Sequence, residues 1–108
     1  MIRHIGLFIL KPGTTAEQVA PWVSAIKAMT VPGLLAHTWG LDLGLREGNA
    51  SMAAVFDFAD EAAYQAWDTD DEHNRIRREL MQPILVRAER CQYQLDASPD
   101  AHASAARG

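Results

Sequence analysis

The chain has 108 residues, 48% hydrophobic and 22% charged, with a net charge of −4. That length fits one domain with a modest core, and the scattered basic residues in an acidic chain argue against a nucleic-acid partner, whose phosphates demand a basic patch. No apolar run approaches the ~18–20 residues of a membrane span, and one cysteine, Cys91, excludes an intrachain disulfide and fits a reducing cytoplasm.

Residues 2–11 are rich in Ile, Leu and Phe and stop at Pro12-Gly13, which is turn chemistry. The segment resembles a short signal sequence but lacks a small-residue cleavage site, so a first strand is expected. His4, Gly6, Phe8 and Leu10 share one face and Ile5, Leu7 and Ile9 the other. Both faces are largely apolar, which predicts cover on both sides. Thr14 with Glu17 three residues on predicts a capping box. The helix behind it carries Val19, Trp22, Val23, Ile26 and Met29 as one apolar stripe. Pro21 inside that stripe predicts a kink or a late start.

Residues 34–43 and 51–58 read as strands two and three, an antiparallel pair around the polar loop Gly44–Asn49. His37, on strand two beside Trp39, reads as a packing or solvent-facing residue. Asp60 is expected to cap a short helix through Ala63, Tyr64 and Trp67. The acidic run Asp68–Glu72 interrupts it and supplies the positive-end charge for another helix over about 71–82, limited by Pro83. Arg75, Arg77 and Arg78 within it read as a solvated face. Residues 85–96 form strand four, where Cys91 is expected to pack in the core or barrel. One domain is expected over 1–97, with 98–108 (His102 included) as a mobile tail.

The order β-α-β-β-α-β is the split βαβ arrangement of ferredoxin-like α+β domains. Helices should cover one sheet face. The other is expected to carry Phe8, Trp39 and Phe56, and so to be buried by a second copy in a C2 homodimer.

The stretches Ile2–Phe8 and Lys11–Thr14, then Gly40–Leu43, Phe56–Tyr64 and His73, resemble the stress-responsive dimeric α/β-barrel (Dabb) family over about residues 2–95. The resemblance implies a dimer whose two four-stranded sheets form a barrel, with a cavity between each sheet and its helices. The family includes a polyketide cyclase, olivetolic acid cyclase, which works without a cofactor. By that resemblance His73 stands at the cyclase's catalytic histidine and His4 at its early strand histidine. Trp67 stands where the cyclase has a tyrosine, and Met52 and Asp70 stand where it has further histidines.

His73, at a helix start among Asp70, Asp71 and Glu72, suits a general base near neutral pH. His4, Tyr64 or Trp67 would steady the oxygen of an enolate. Trp67, Trp39, Phe8, Met52 and Phe56 are the candidate walls of an apolar pocket. No metal-ligand spacing, nucleophile elbow or phosphate loop is present. The expected function is therefore a cofactor-free, general-base enzyme for a small apolar carbonyl compound. The alternatives are a non-catalytic, stress-related ligand-binding dimer and a cofactor-free monooxygenase, the latter by fold analogy alone.

Overall fold

The computed structural model describes residues 1–95; the expected tail, 98–108 with His102, lies outside them. The chain runs β1 (Ile2–Leu10), α1 (Ala16–Ala28), β2 (Leu34–Leu41), β3 (Met52–Phe58), α2 (Glu61–Asp68), α3 (Asp71–Ile76) and β4 (Leu85–Gln94). The four strands form one antiparallel sheet in the order β2-β3-β1-β4. This is the expected α+β, ferredoxin-like arrangement.

The helix starts follow from local chemistry. Thr15, not Thr14, caps α1: its hydroxyl accepts from the Gln18 N–H, and the Gln18 side chain accepts from the Thr15 N–H. The box therefore lies one residue later than Thr14 and Glu17 suggested. Thr14 is instead tied to the preceding turn, its N–H and hydroxyl both donating to the Lys11 carbonyl. Pro21 stands inside α1, so the late start is excluded. Asp60 caps α2 by accepting from the Ala63 N–H at 2.8 Å, and Asp70 caps α3 through the His73 N–H at 3.0 Å.

The expected helix over 71–82 is not uniform. After Ile76 it widens into a π-helical turn, Arg77–Met81, and then tightens into a 3₁₀ turn, Gln82–Ile84. The extra residue in a π turn rotates the side chains beyond it around the helix axis. Here Ile76 and Met81 are buried while Leu80 is only half-buried. The strand ends are also shorter than expected: β2 stops at Leu41 and β4 at Gln94, while β3 begins at Met52. Ser51 still closes the sheet end, its N–H donating to the Phe8 carbonyl and its hydroxyl accepting from the Leu10 N–H.

Register sets four cross-sheet rows on the helix-covered face. They are Leu34–Phe58–Ile2–Gln94, His37–Phe56–His4–Gln92, Trp39–Ala54–Gly6–Arg90 and Leu41–Met52–Phe8–Ala88. Phe8, Trp39 and Phe56 thus lie under the helices, which corrects the expectation that they form the open face. The reason is parity: they share it with the residues that meet Trp22 of α1 and Trp67 of α2. Phe8 and Trp22 meet edge to face at 4.8 Å, and Trp39 crosses Trp22 at 5.4 Å. Burying each such ring contributes roughly 1.5–3 kcal/mol.

The other face is uncovered in the single chain. By alternation it carries Arg3, Ile5, Leu7 and Ile9 of β1 with Ala53, Val55 and Asp57 of β3. Leu7 is 40% exposed, so β1 is covered on one side by this chain alone. Cys91 also lies on this face and is exposed, not packed in the core. Among the described residues no helix is long and apolar enough to cross a membrane.

Candidate active site

The helix-covered face holds two buried polar side chains, His4 and His73, at 4% and 3% exposure. A buried imidazole is costly unless its nitrogens find partners. His73 is held twice. Its backbone N–H is fixed by the Asp70 cap, and its ring Nδ1 lies 2.8 Å from the Trp67 carbonyl oxygen. A carbonyl only accepts, so Nδ1 carries the proton and Nε2 keeps its lone pair. The Trp67 ring packs against the imidazole at 4.0 Å between centroids.

His4 sits mid-strand on β1, between Phe56 of β3 and Gln92 of β4. The Gln92 amide nitrogen donates to its Nδ1 at 2.8 Å and approaches the Tyr64 hydroxyl at 3.4 Å. His4 therefore carries its proton on Nε2. The two histidines are neutral in opposite tautomers, one offering an acceptor and the other a donor. Burial lowers the pKa of each to about 4. Those values already include the guanidinium fields of Arg90 and Arg77, which add to burial at His4, and the Trp67 carbonyl, which partly offsets it at His73.

Both rings line one cavity with Phe8, Trp22, Trp39, Phe56, Trp67 and Met81, rimmed by Arg77 and Arg90. Its volume is about 20 Å³, enough for one water. Of the expected pocket walls, Phe8, Trp39, Phe56 and Trp67 are here, whereas Met52 is not. Met52 lines a separate surface groove with Leu7 and Leu41. Tyr64 stands behind His4, ring to ring at 5.3 Å, and lines a different groove with Gln92. Its hydroxyl pKa is raised, first by burial. His37 does not reach the cavity; its Nδ1 accepts from the Trp39 indole at 3.1 Å and its ring stacks on Phe56.

The indole Nε1–H of Trp67 is buried and has no hydrogen-bond partner among the described residues. An orphaned buried donor costs roughly 1–3 kcal/mol, so it marks a place where a ligand oxygen would be welcome. The sequence reading missed Gln92, Arg77, Arg90 and Asp68. Arg77 bonds the Asp68 carboxylate at 2.7 Å and its carbonyl at 3.0 Å, and lies 5.6 Å from the centre of the Trp67 ring. Gln92 and Arg90 share the parity of β4 that faces inward, a signal usable only once the β1–β4 register is known. Among the described residues no three His, Cys, Asp or Glu side chains are grouped to hold a metal ion.

A ferredoxin-like sheet with a histidine pair walled between it and its helices defines the class: a dimeric α/β-barrel domain. The chain belongs to the stress responsive A/B barrel (Dabb) family, whose pattern matches residues 2–91. A dimeric ferredoxin-like protein from Thermobifida fusca is 31% identical, with 87% of this chain and 90% of that one covered and a TM-score of 0.75. A Dabb family protein from Mesorhizobium loti shares 18% identity over 89% of this chain and 97% of that one, TM-score 0.71. The hydroxynitrile lyase of Passiflora edulis shares the fold at 17% identity, 90% and 94% coverage and TM-score 0.75. No curated protein matches in sequence. The T. fusca protein and a relative from Bacteroides fragilis are dimeric, which supports a homodimer here.

Proposed function

We propose that this protein is a cofactor-free enzyme that moves a proton on a small apolar carbonyl compound, with His73 as general base. The observation that carries the reading is the tether of His73 Nδ1 to the Trp67 carbonyl, which leaves Nε2 unprotonated on a residue lining a water-sized cavity. Nε2 takes a proton from the carbon beside a carbonyl, and the electron pair moves onto the carbonyl oxygen. His4 Nε2–H and the unpartnered Trp67 Nε1–H are donors for that oxygen. In a polyketide-like substrate the enolate carbon then attacks a second carbonyl of the same molecule, and the proton returns from His73 to the new alkoxide. Tyr64 acts at one remove, steadying Gln92 and through it His4.

A pKa of about 4 means that His73 is unprotonated and available at pH 7. It also makes His73 a weak base, and each unit of basicity forgone costs about 1.4 kcal/mol of proton affinity. The reading therefore favours substrates whose C–H is already acidified, such as β-dicarbonyl compounds. The hydroxynitrile lyase with this fold supports catalysis as one use of such a barrel. A second reading, a non-catalytic stress-related dimer in a cytoplasmic setting, is favoured by the water-sized cavity, because any substrate must first displace a side chain.

Solvent deuterium exchange at the α-carbon separates the two. Aryl ketones and β-ketoesters are incubated with the protein in D2O and followed by proton NMR. Exchange above the buffer rate is expected, with a roughly 10²-fold or larger loss in His73→Gln and a smaller one in His4→Gln. If wild type accelerates no member of the series and no histidine resonance moves, the catalytic reading is lost to the second.

A further inference from the structure

The rim of the cavity carries more positive charge than its interior needs. Arg77 is already compensated: Asp68 takes its guanidinium at 2.7 Å, and Asn74 accepts from it at 3.1 Å. The guanidinium of Arg90, on β4, makes no hydrogen bond or ion pair among the described residues, although it lines the same cavity. Arg3, Arg75 and Arg87 are all paired with carboxylates. Arg46 and Arg78 also lack partners there, but Arg46 stands in the loop between β2 and β3 and Arg78 on the exposed side of the π turn. Arg90 is thus the unpaired guanidinium at the cavity among the described residues.

Its position on the sheet gives that charge a path inward. Arg90 of β4 pairs with Gly6 of β1, which pairs with Ala54 of β3. No long side chain rises from the sheet between Arg90 and Trp39 in that row. A Cβ at Gly6 would come within 2.8 Å of the Phe8 ring, so a side chain there would press on the cavity floor. The adjacent row places His4 and Phe56 beside the same strip.

We infer that the ligand of this site carries a carboxylate, which pairs with Arg90 at the rim while its apolar, carbonyl-bearing part displaces a side chain to enter among His4, Trp67 and His73. The inference deepens the proposed function and rests on the cavity being a ligand site. Two observations carry it: the uncompensated guanidinium that lines the cavity, and the buried Nε1–H of Trp67, another lining residue, which has no hydrogen-bond partner among the described residues. A planar carboxylate matches a guanidinium with two parallel hydrogen bonds. With Arg77 neutralised by Asp68, one positive charge remains, which suits a monoanion better than a phosphate monoester. The chain as a whole is negative, so this rim is a local exception that would draw such an anion in. A carboxylate there also offsets the guanidinium fields of Arg90 and Arg77, which add to burial in keeping His4 neutral.

The test is a binding comparison by NMR titration at pH 7 of 4-acetylbenzoate, phenylacetate and benzoate, each against its methyl ester. Wild type should bind at least one carboxylate about tenfold or more tightly than its ester. Arg90→Gln should abolish that preference while keeping ester binding. Arg87→Gln, which removes the same charge elsewhere on β4, should retain it. Equal affinity for every acid and ester, a preference that survives in Arg90→Gln, or no binding of any carboxylate would each overturn the inference. Binding through Arg90 without deuterium exchange at the acetyl group of 4-acetylbenzoate would leave the inference standing and remove the catalytic reading. Exchange with no acid preference would do the reverse.

Discussion

On the helix-covered face of the sheet, Phe8, Trp39, Phe56 and Phe58 interlock with Trp22 and Trp67, and two histidines are buried among them. On the opposite face the same strands present smaller aliphatic groups, Ile5, Leu7 and Val55, bordered by the bidentate Arg3–Asp57 pair. The first face is finished within one chain, since every ring has a partner at 4–6 Å. The second has an apolar centre and a polar border, which is the anatomy of a surface that meets another protein. Strand parity thus separates the two faces: one residue points toward the histidine pair, and the next toward the face left uncovered by this chain.

The largest effect should come from exchanging the treatment of the two faces. Phe58 is fully buried, so Phe58→Ala should cost about 3–5 kcal/mol, read as a lower midpoint in denaturant unfolding. Leu7→Glu, on the open face, should leave the helix-side core folded by circular dichroism. It should shift the particle toward the single-chain mass of 11.9 kDa in light scattering. If Leu7→Glu leaves the assembly intact, the open face is not the interface.

Between pH 7 and 4.5 acid should act chiefly through the covered face; Asp57 on the open face, its carboxyl held below the usual range by Arg3, loses its contribution only in stronger acid. His4 and His73 have folded pKa values of about 4 against ~6.5 in the unfolded chain. Between those values the unfolded state binds protons that the folded state refuses, so stability is full above about pH 6.5 and falls as the pH drops toward 4. The loss should be on the order of 3 kcal/mol for each histidine. Unfolding midpoints measured from pH 7 to 4.5 should show this slope, and His73→Gln should flatten it by about half. An unchanged slope would mean that His73 is not buried neutral.

The smallest effect should come from the turn that leads into β2, packed against Ala63 of α2. Gly33 has φ of +87°, and an added Cβ would lie 2.5 Å from the Ala63 Cβ. Gly33→Ala should cost about 1–3 kcal/mol. It should leave α-carbon exchange and the carboxylate preference unchanged, which would separate a structural lesion from loss of the site.

Much of the fold was legible because its signals are local. Alternation in residues 2–10 and 52–58, Asp60 before an apolar run, and Pro-Gly pairs at turns each act within a few residues. The capping box slipped by one because Thr14 and Thr15 are both competent, and the choice fell to the turn at Lys11. His73 and His4 were visible as residues and as a family resemblance. Their tautomers were not, because these depend on Trp67 and Gln92 arriving from elsewhere in the chain. Arg90 looked like any strand arginine until the β1–β4 register placed it beside Gly6.

By itself, the sequence determined the order of elements, the apolar parity of each strand and the residue types able to handle a proton, because periodicity and side-chain chemistry travel with the chain. Only the tertiary structure decided which parity lies under the helices, which histidine nitrogen is free, how small the cavity is and which of the arginines without a partner among the described residues lines it. Each of those depends on groups far apart in sequence meeting at hydrogen-bond distance, which no local pattern records.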